Sequence, residues 1–216
     1  MIPQPTITLD DLERDALAEL VNVGVGRAAA NLRQMIDRQV LLSVPGVAIV
    51  TRETAASMIA ERESSSLVAV HQAFEGDFSG RALLIFPETN SLELVRAVTG
   101  GELPLEDIIE LEQEALAETG NIILNGCLAT IANILQRSLR MSLPEILRGS
   151  GADLFALNAE VAPAEDVVLF LYIDFSVDDR DIRGYIAMLM DLPSLTALKK
   201  LLADFIRQTA GEANAD

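Results

Sequence analysis

The stretch 15–26, DALAELVNVGVG, organises this chain, because its pattern returns 99 residues later as 114–125, EALAETGNIILN. Each copy contains a glutamate followed three positions later by an asparagine: Glu19 with Asn22, and Glu118 with Asn121. Side chains three apart on a helix share one face, so each copy offers a carboxylate beside a carboxamide. The repeat predicts a chain of two related halves, each carrying the same polar pair on a helix.

A proline follows each pair at the same distance, with 22 residues between the asparagine and the proline. Pro45 lies in the apolar segment Gln39–Val50, which predicts a strand, and Pro144 lies in the matching segment Met141–Ile146. Because proline cannot donate to a strand ladder, we expect each one at an edge or a bend. Both prolines are interpreted as structural parts of the motif that shape the strand or loop beside the helix.

The first helix carries a longer polar stripe around its pair. Asp15 precedes Glu19 by four residues and Gly26 follows Asn22 by four, while Glu114 is the second-copy counterpart of Asp15. Such a stripe on an amphipathic helix is ordinarily a solvated face. Its duplication favours a surface that docks against another macromolecule, with Asp15, Glu114 and Gly26 as partner-binding residues. A scaffold duplication without a site would instead bury both helices or turn them toward each other.

The remaining pattern predicts an α+β fold. Apolar runs at 66–74 and 78–86 predict one hairpin, and runs at 167–177 and 182–190 predict a second. We expect a pseudo-two-fold tandem repeat with a largely antiparallel sheet of about six strands, flanked by helices, with the motif helices outermost. Thr8 and Asp11 predict the start of the first motif helix, and 106–139 predicts the second, broken near Gly120 or Gly126.

The whole chain is predicted to be one domain over 1–209, with repeats of about 8–101 and 106–209 and a frayed tail at 210–216. Its 33 acidic against 16 basic residues give a net charge of −17, which argues against nucleic acid or an anionic membrane as partner. The single cysteine, Cys127, lies in an apolar helical run, and fits a reducing, cytoplasmic compartment. Apolar stretches such as Val167–Ile173 are too short to cross a bilayer.

Few other residues suit catalysis. The single histidine, His71, lies in an apolar strand, no cluster suits a metal, and no glycine-rich loop fits a nucleotide. An asparagine cannot act as a base, but it can hold a water in a chosen orientation. Chemistry built on Glu and Asn is therefore positional, which phosphoryl hydrolysis accepts because its loose transition state depends on alignment.

The motif resembles the signature of the CheC/CheX/FliY family of chemotaxis phosphatases: Asp or Ser, three residues, Glu, two residues, Asn, 22 residues, Pro. The first copy, from Asp15 to Pro45, matches in full, and the second departs only in having Glu114. The likeness extends to Glu75-Gly76, Ser79-Gly80-Arg81 and Phe86-Pro87. Two motifs in one chain resemble the two-site form, CheC, rather than the single-site CheX.

The resemblance implies a response-regulator phosphatase that hydrolyses the aspartyl phosphate of a CheY-type protein in chemotaxis signalling. Glu19 and Glu118 would pair with the regulator's lysine, and Asn22 and Asn121 would enter its pocket and orient the attacking water. The regulator would supply the Mg²⁺, so the chain needs no cofactor of its own. A CheD-type receptor deamidase is implied as a further partner. The alternative is a non-catalytic binding module that sequesters a response regulator or regulates such a deamidase.

Overall fold

The computed structural model describes residues 7–63, 66–98, 105–156, 167–177 and 180–213. These ranges contain six helices and seven strands. In chain order they are α1 (Asp11–Ile36), β1 (Val40–Thr51), α2 (Arg52–Ala60), β2 (Leu67–Gly76), β3 (Gly80–Pro87), α3 (Glu88–Val98), α4 (Leu105–Ile134), β4 (Leu139–Met141), β5 (Glu145–Gly149), α5 (Gly151–Ala156), β6 (Val167–Val177), β7 (Arg180–Met190) and α6 (Leu192–Ala213).

The strands form one antiparallel sheet in the order β1-β6-β7-β3-β2-β4, with β5 also paired to β2. This order is unchanged when the two halves are exchanged: β1 with β4 and β5, β2 with β6, and β3 with β7. Each half therefore lends its proline-containing strand to the hairpin of the other half. The predicted α+β class is confirmed, with seven strands because the second proline segment splits into β4 and β5.

Helices cover both faces of the sheet. On one face, α1, α3, α4 and α6 pack over the larger apolar core, and on the other α2 and α5 cover a smaller one. The motif helices α1 and α4 contact each other, and their outer neighbours are α6 and α3 respectively. The motif helices thus lie at the centre of the helical layer. The prediction that they would be outermost is wrong.

Glycines allow α1 and α4 to approach closely. A Cβ at Gly24 would lie 2.8 Å from the Cα of Cys127, and one at Gly126 would lie 2.9 Å from the Cβ of Ala28. Any larger residue at Gly24 or Gly126 would therefore force the two helices apart. Gly26 differs, because a Cβ there would meet nothing within 4 Å.

The helices differ from the sequence prediction in four respects. The N-cap of α1 is Asp10, whose carboxylate accepts from the Glu13 N–H at 2.8 Å while Glu13 accepts from the Asp10 N–H at 2.9 Å. Thr8 and Asp11 were predicted for this role, but only Glu13 is long enough to reach back to the cap. Helix α4 runs unbroken through both glycines and ends at Ile134, before the predicted end at 139, where β4 begins instead. Helix α6 continues to Ala213, four residues into the segment predicted to be frayed.

Helix α4 also bears on the question of a membrane. Its segment Leu111–Ile134 is long and apolar enough, by length and composition, to cross a bilayer. In the fold, 56% of this apolar window is buried. It packs against α1, α3 and the sheet, as the core helix of a globular domain does. Glutamates and asparagines interrupt the apolar residues of this helix, so its sequence contains no long continuous apolar stretch.

Candidate functional site

The four motif carboxylates lie on the solvent side of the two central helices. Glu19 and Glu118 are exposed, as are the preceding acids Asp15 and Glu114. None of these four side chains forms an ion pair within the described part of the chain, whereas the buried Glu13 is paired with Lys199 at 3.1 Å. Each motif therefore presents uncompensated negative charge that a cation on a partner could approach.

The amide of Asn22 is held by the backbone of β1. Its Nδ2 donates to the carbonyl of Val44 at 3.2 Å, and its Oδ1 accepts from the Val44 N–H at 2.8 Å. The register between β1 and β6 shifts between Ser43 and Gly46, so Val44 and Pro45 stand outside the ladder. Asn22 thus takes the place of a missing strand neighbour for Val44, which is only 2% exposed.

The amide of Asn121 has different partners. Its Oδ1 accepts from Gln72 Nε2 at 3.1 Å and from Asn125 Nδ2 at 2.6 Å. Gln72 is fully buried and also donates to the carbonyl of Ser142 at 2.8 Å. The Nδ2 of Asn121 makes no hydrogen bond to any described residue, so this half-buried amide keeps a free donor.

Three paired positions account for the difference between the motifs. Gln72 lies on β2 opposite the gap between β4 and β5. The corresponding position in the other half, opposite the β1 bulge, is the buried Ile173. Asn125 is matched by Gly26, which has no side chain to reach the amide. Val44 is buried, but its counterpart Leu143 is 85% exposed. Neighbours therefore decide how each motif asparagine is used.

A shallow groove of about 540 Å³ runs beside the second motif. It is lined by Glu114, Glu118 and Pro144 together with the exposed apolar side chains of Met35 and Leu111. Pro45 of the first motif borders another open groove, of about 300 Å³, beside Tyr172 and Tyr185. Both grooves are open to solvent, so they offer surfaces to a partner and not an enclosed pocket for a small molecule.

The remaining reactive groups do not join the motifs. Burial raises the pKa of the Cys127 thiol to about 12, so the thiolate is scarce and the residue packs in the core. Burial also lowers the pKa of His71, against the opposing effect of Glu145, whose carboxylate lies 3.4 Å from Nδ1. Within the described ranges, no three His, Cys, Asp or Glu side chains converge to hold a metal ion.

Sequence analysis missed Gln72 and Asn125 as members of the second site. Gln72 lies within a strand that is otherwise mostly apolar, and a buried glutamine there was a signal for a polar partner. Asn125 lies four residues after Asn121, the helical spacing at which two side chains meet. The contact between Gln72 and Asn121 spans 49 residues, and only the fold brings them together.

Sequence comparison gives relatives of low identity. The chain is 25% identical over 137 residues to the CheY-P phosphatase CheC of Bacillus subtilis, covering 62% of this chain and 65% of CheC. It is 23% identical over 140 residues to the flagellar motor switch phosphatase FliY of the same organism, covering 64% of this chain and 36% of FliY. The chain thus matches less than two thirds of the length of either relative. No family model matches the chain.

Structure comparison agrees on the fold. The crystal structure of Thermotoga maritima FliY superimposes with a TM-score of 0.70 at 17% identity, covering 92% of this chain and 100% of FliY. A chain of the crystal structure of the FliM–SpeE complex from H. pylori superimposes with a TM-score of 0.63 at 9% identity, covering 91% of this chain and 97% of that chain. The fold of this chain is therefore shared with these two structures. In sequence the chain is thus similar to CheC and FliY, and in fold it is similar to FliY.

Proposed function

We propose that this chain is a phosphatase that hydrolyses the aspartyl phosphate of a CheY-type response regulator. The observation that carries the proposal is the pairing, on each of two central helices, of an exposed unpaired glutamate with an asparagine three residues on. The relatives named CheY-P phosphatase CheC and motor switch phosphatase FliY support it. Such a protein acts in chemotaxis signalling in the cytoplasm.

In the proposed reaction the regulator brings the phosphoryl group and its Mg²⁺, and this chain brings alignment. Glu19 or Glu118 pairs with a lysine of the regulator and fixes the complex, and Asn22 or Asn121 holds the attacking water. The water oxygen bonds to phosphorus while the bond from phosphorus to the aspartyl oxygen breaks. The products are the free aspartate carboxylate and inorganic phosphate, and both protons of the water leave on the phosphate as H₂PO₄⁻. Alignment of this kind can supply a large part of a rate enhancement.

The motif's outer residues are assigned to partner binding. Asp15 and Glu114 extend the negative face by one turn, and Gly26 leaves bare helix backbone beside Asn22. Glu114 places its carboxylate one methylene further out than an aspartate would. We expect the two sites to differ in their affinity for the regulator. A CheD-type deamidase is a further proposed partner, on the strength of the family resemblance alone.

The second candidate function is a binding module that holds a response regulator, or regulates a CheD-type deamidase, without hydrolysis. One observation favours it: both polar atoms of the Asn22 amide are bonded to Val44, so only the second N–H and the second lone pair of the amide remain for a water, in an orientation fixed by the strand. The resemblance of the fold to FliM is compatible with it. This candidate predicts complex formation with an unchanged lifetime of the phosphorylated regulator.

The decisive experiment follows the decay of radiolabelled acyl phosphate on a CheY-type regulator with Mg²⁺, with and without this protein. We expect wild type to shorten the lifetime of the phosphorylated regulator and the double variant Asn22→Ala, Asn121→Ala to lose that effect. Asn31 and Asn133 are exposed asparagines on α1 and α4, so Asn31→Ala, Asn133→Ala is the matched control. Circular dichroism confirms that each variant is folded at the assay temperature.

Three outcomes are informative. Acceleration retained in the folded motif double variant would refute the assigned role of the asparagines. Binding without acceleration by wild type would select the binding module. Loss of acceleration in the Asn31, Asn133 control would show that the assay responds to helix damage and not to the motif.

A further inference from the structure

The carbonyl of Asn121 is fully occupied by side chains that do not belong to the motif. A carbonyl oxygen accepts two hydrogen bonds in good geometry, and Oδ1 of Asn121 accepts from Gln72 at 3.1 Å and Asn125 at 2.6 Å. Its Nδ2 makes no hydrogen bond within the described ranges. The amide can therefore meet a further molecule only through its N–H groups.

Gln72 is held in one orientation. Its Nε2 donates both to Asn121 and to the carbonyl of Ser142, at 2.8 Å in the second case. Its Oε1 is buried without a hydrogen-bond partner among the described residues. Reversing this amide would set two oxygens against each other at Ser142. In this orientation Gln72 Oε1 has no hydrogen-bond partner among the described residues, and Gln72 Nε2 donates to the Asn121 carbonyl.

The first half of the molecule has no such arrangement. Ile173 takes the position of Gln72 and Gly26 takes that of Asn125, so nothing there competes with the strand backbone for the asparagine. Asn22 accordingly binds the backbone of Val44 through both of its polar atoms. The contrast between the halves indicates that Gln72 and Asn125 keep Asn121 away from the strand.

Resting on the proposed phosphatase function, we propose that Gln72 and Asn125 are positioning residues that make Asn121 act as a hydrogen-bond donor to the attacking water. A water that accepts one hydrogen bond from Nδ2 keeps its second lone pair for the phosphorus atom. Its two hydrogens remain free to bond to oxygens of the regulator's phosphoryl site. Neither Gln72 nor Asn125 touches the water or the regulator.

The test isolates the second site. Glu19 is exposed and is not bonded to the Asn22 amide, so Glu19→Arg disables docking at the first motif without touching the contact with Val44. In this background we compare Asn125→Ala and Gln72→Ile, the residue type found at the counterpart position, with the control Asn133→Ala. We measure kcat and KM for the phosphorylated regulator, and the thermal unfolding of each variant. We expect kcat to fall by roughly tenfold in both positioning variants while KM stays within about twofold, because only alignment is lost.

The outcomes separate this inference from the proposed function. If wild type does not shorten the lifetime of the phosphorylated regulator, the phosphatase function itself fails. If wild type is active but the Glu19→Arg background is inactive, the second site does no hydrolysis and the positioning role is wrong. Unchanged kcat in folded Asn125→Ala and Gln72→Ile also overturns it, as does a rise in KM alone. Should Gln72→Ile fail to fold, Asn125→Ala at its half-buried position decides the question.

Discussion

Replacing Asn22 with alanine removes the side chain that pairs with the backbone of Val44 at the β1 bulge. Two hydrogen bonds are lost, one of 2.8 Å to the Val44 N–H and one of 3.2 Å from Asn22 Nδ2 to the Val44 carbonyl. Each bond contributes about 1 kcal/mol net, and a buried group left unpaired costs about 1–3 kcal/mol. Because the site is half-buried and water can reach part of it, we expect the free energy of unfolding to fall by about 2–4 kcal/mol.

This loss is large enough to measure by thermal unfolding. An unfolding entropy of about 2.1 cal/mol/K per residue gives roughly 0.45 kcal/mol/K for a chain of 216 residues, so the melting temperature should fall by about 4–9 °C. Asn121→Ala is the matched comparison. It removes an acceptor from Gln72 and Asn125, but Gln72 keeps its bond to Ser142, so we expect a loss of only about 1–3 °C.

The variant Asn22→Asp sharpens the test. An ionised aspartate still accepts from the Val44 N–H, but its second oxygen faces the Val44 carbonyl and repels it. At pH 7 it should be at least as destabilised as Asn22→Ala. At pH 4 the protonated carboxyl can donate to that carbonyl, so Asn22→Asp should regain stability relative to the alanine variant. A melting temperature of Asn22→Ala within about 1 °C of wild type would refute this account of the bulge.

Two further predictions concern packing and titration. Gly26→Ala should raise the free energy of unfolding by about 0.5–1 kcal/mol, because its Cβ meets open space. Gly24→Ala should lower the free energy of unfolding by about 1–3 kcal/mol, because its Cβ would lie 2.8 Å from the Cα of Cys127. Chemical denaturation of both variants measures the two changes, and equal changes would contradict the prediction. Burial lowers the pKa of His71, so its neutral form stabilises the fold fully above the ordinary value of 6.5, and this contribution is lost as the pH falls through the lowered pKa. The stability of wild type relative to His71→Gln should therefore decline from pH 7.5 to pH 5, and a constant difference would show that His71 titrates normally.

Elements whose signal is local could be predicted from the sequence to the residue. The apolar run at 167–177 predicted a strand, and β6 is found at Val167–Val177. The N-cap of α1 was misplaced by two residues because Thr8 and Asp10 are both good caps. Only the reach of Glu13 decides between them.

The candidate site was only half accessible from the sequence. The spacing of the motif residues can be read from the sequence, and the structure exposes Glu19 and Glu118 while Asn22 and Asn121 lie half-buried beside the sheet. Which atoms of each amide are free depends on strand pairing across distant segments. The sequence carries no local sign of it, since strand register is fixed by pairing and packing across the whole sheet.

The repeated proline explains why one motif can exist in two states. Proline has no N–H, so in each half it interrupts the strand ladder and leaves the residue before it without regular partners. In the first half β1 continues as a bulged edge strand, Val44 stays buried, and Asn22 must supply its partners.

In the second half the same interruption ends the strand. β4 and β5 are separate strands, Leu143 is exposed to solvent, and its carbonyl accepts from the hydroxyl of Ser142 at 3.0 Å. The backbone of Leu143 therefore does not need Asn121 as a hydrogen-bond partner. Gln72 and Asn125 then hold that amide instead. The same interruption, accommodated in two ways, thus leaves Asn22 bonded to the strand backbone through both polar atoms, and leaves Asn121 with an Nδ2 that donates to no described residue.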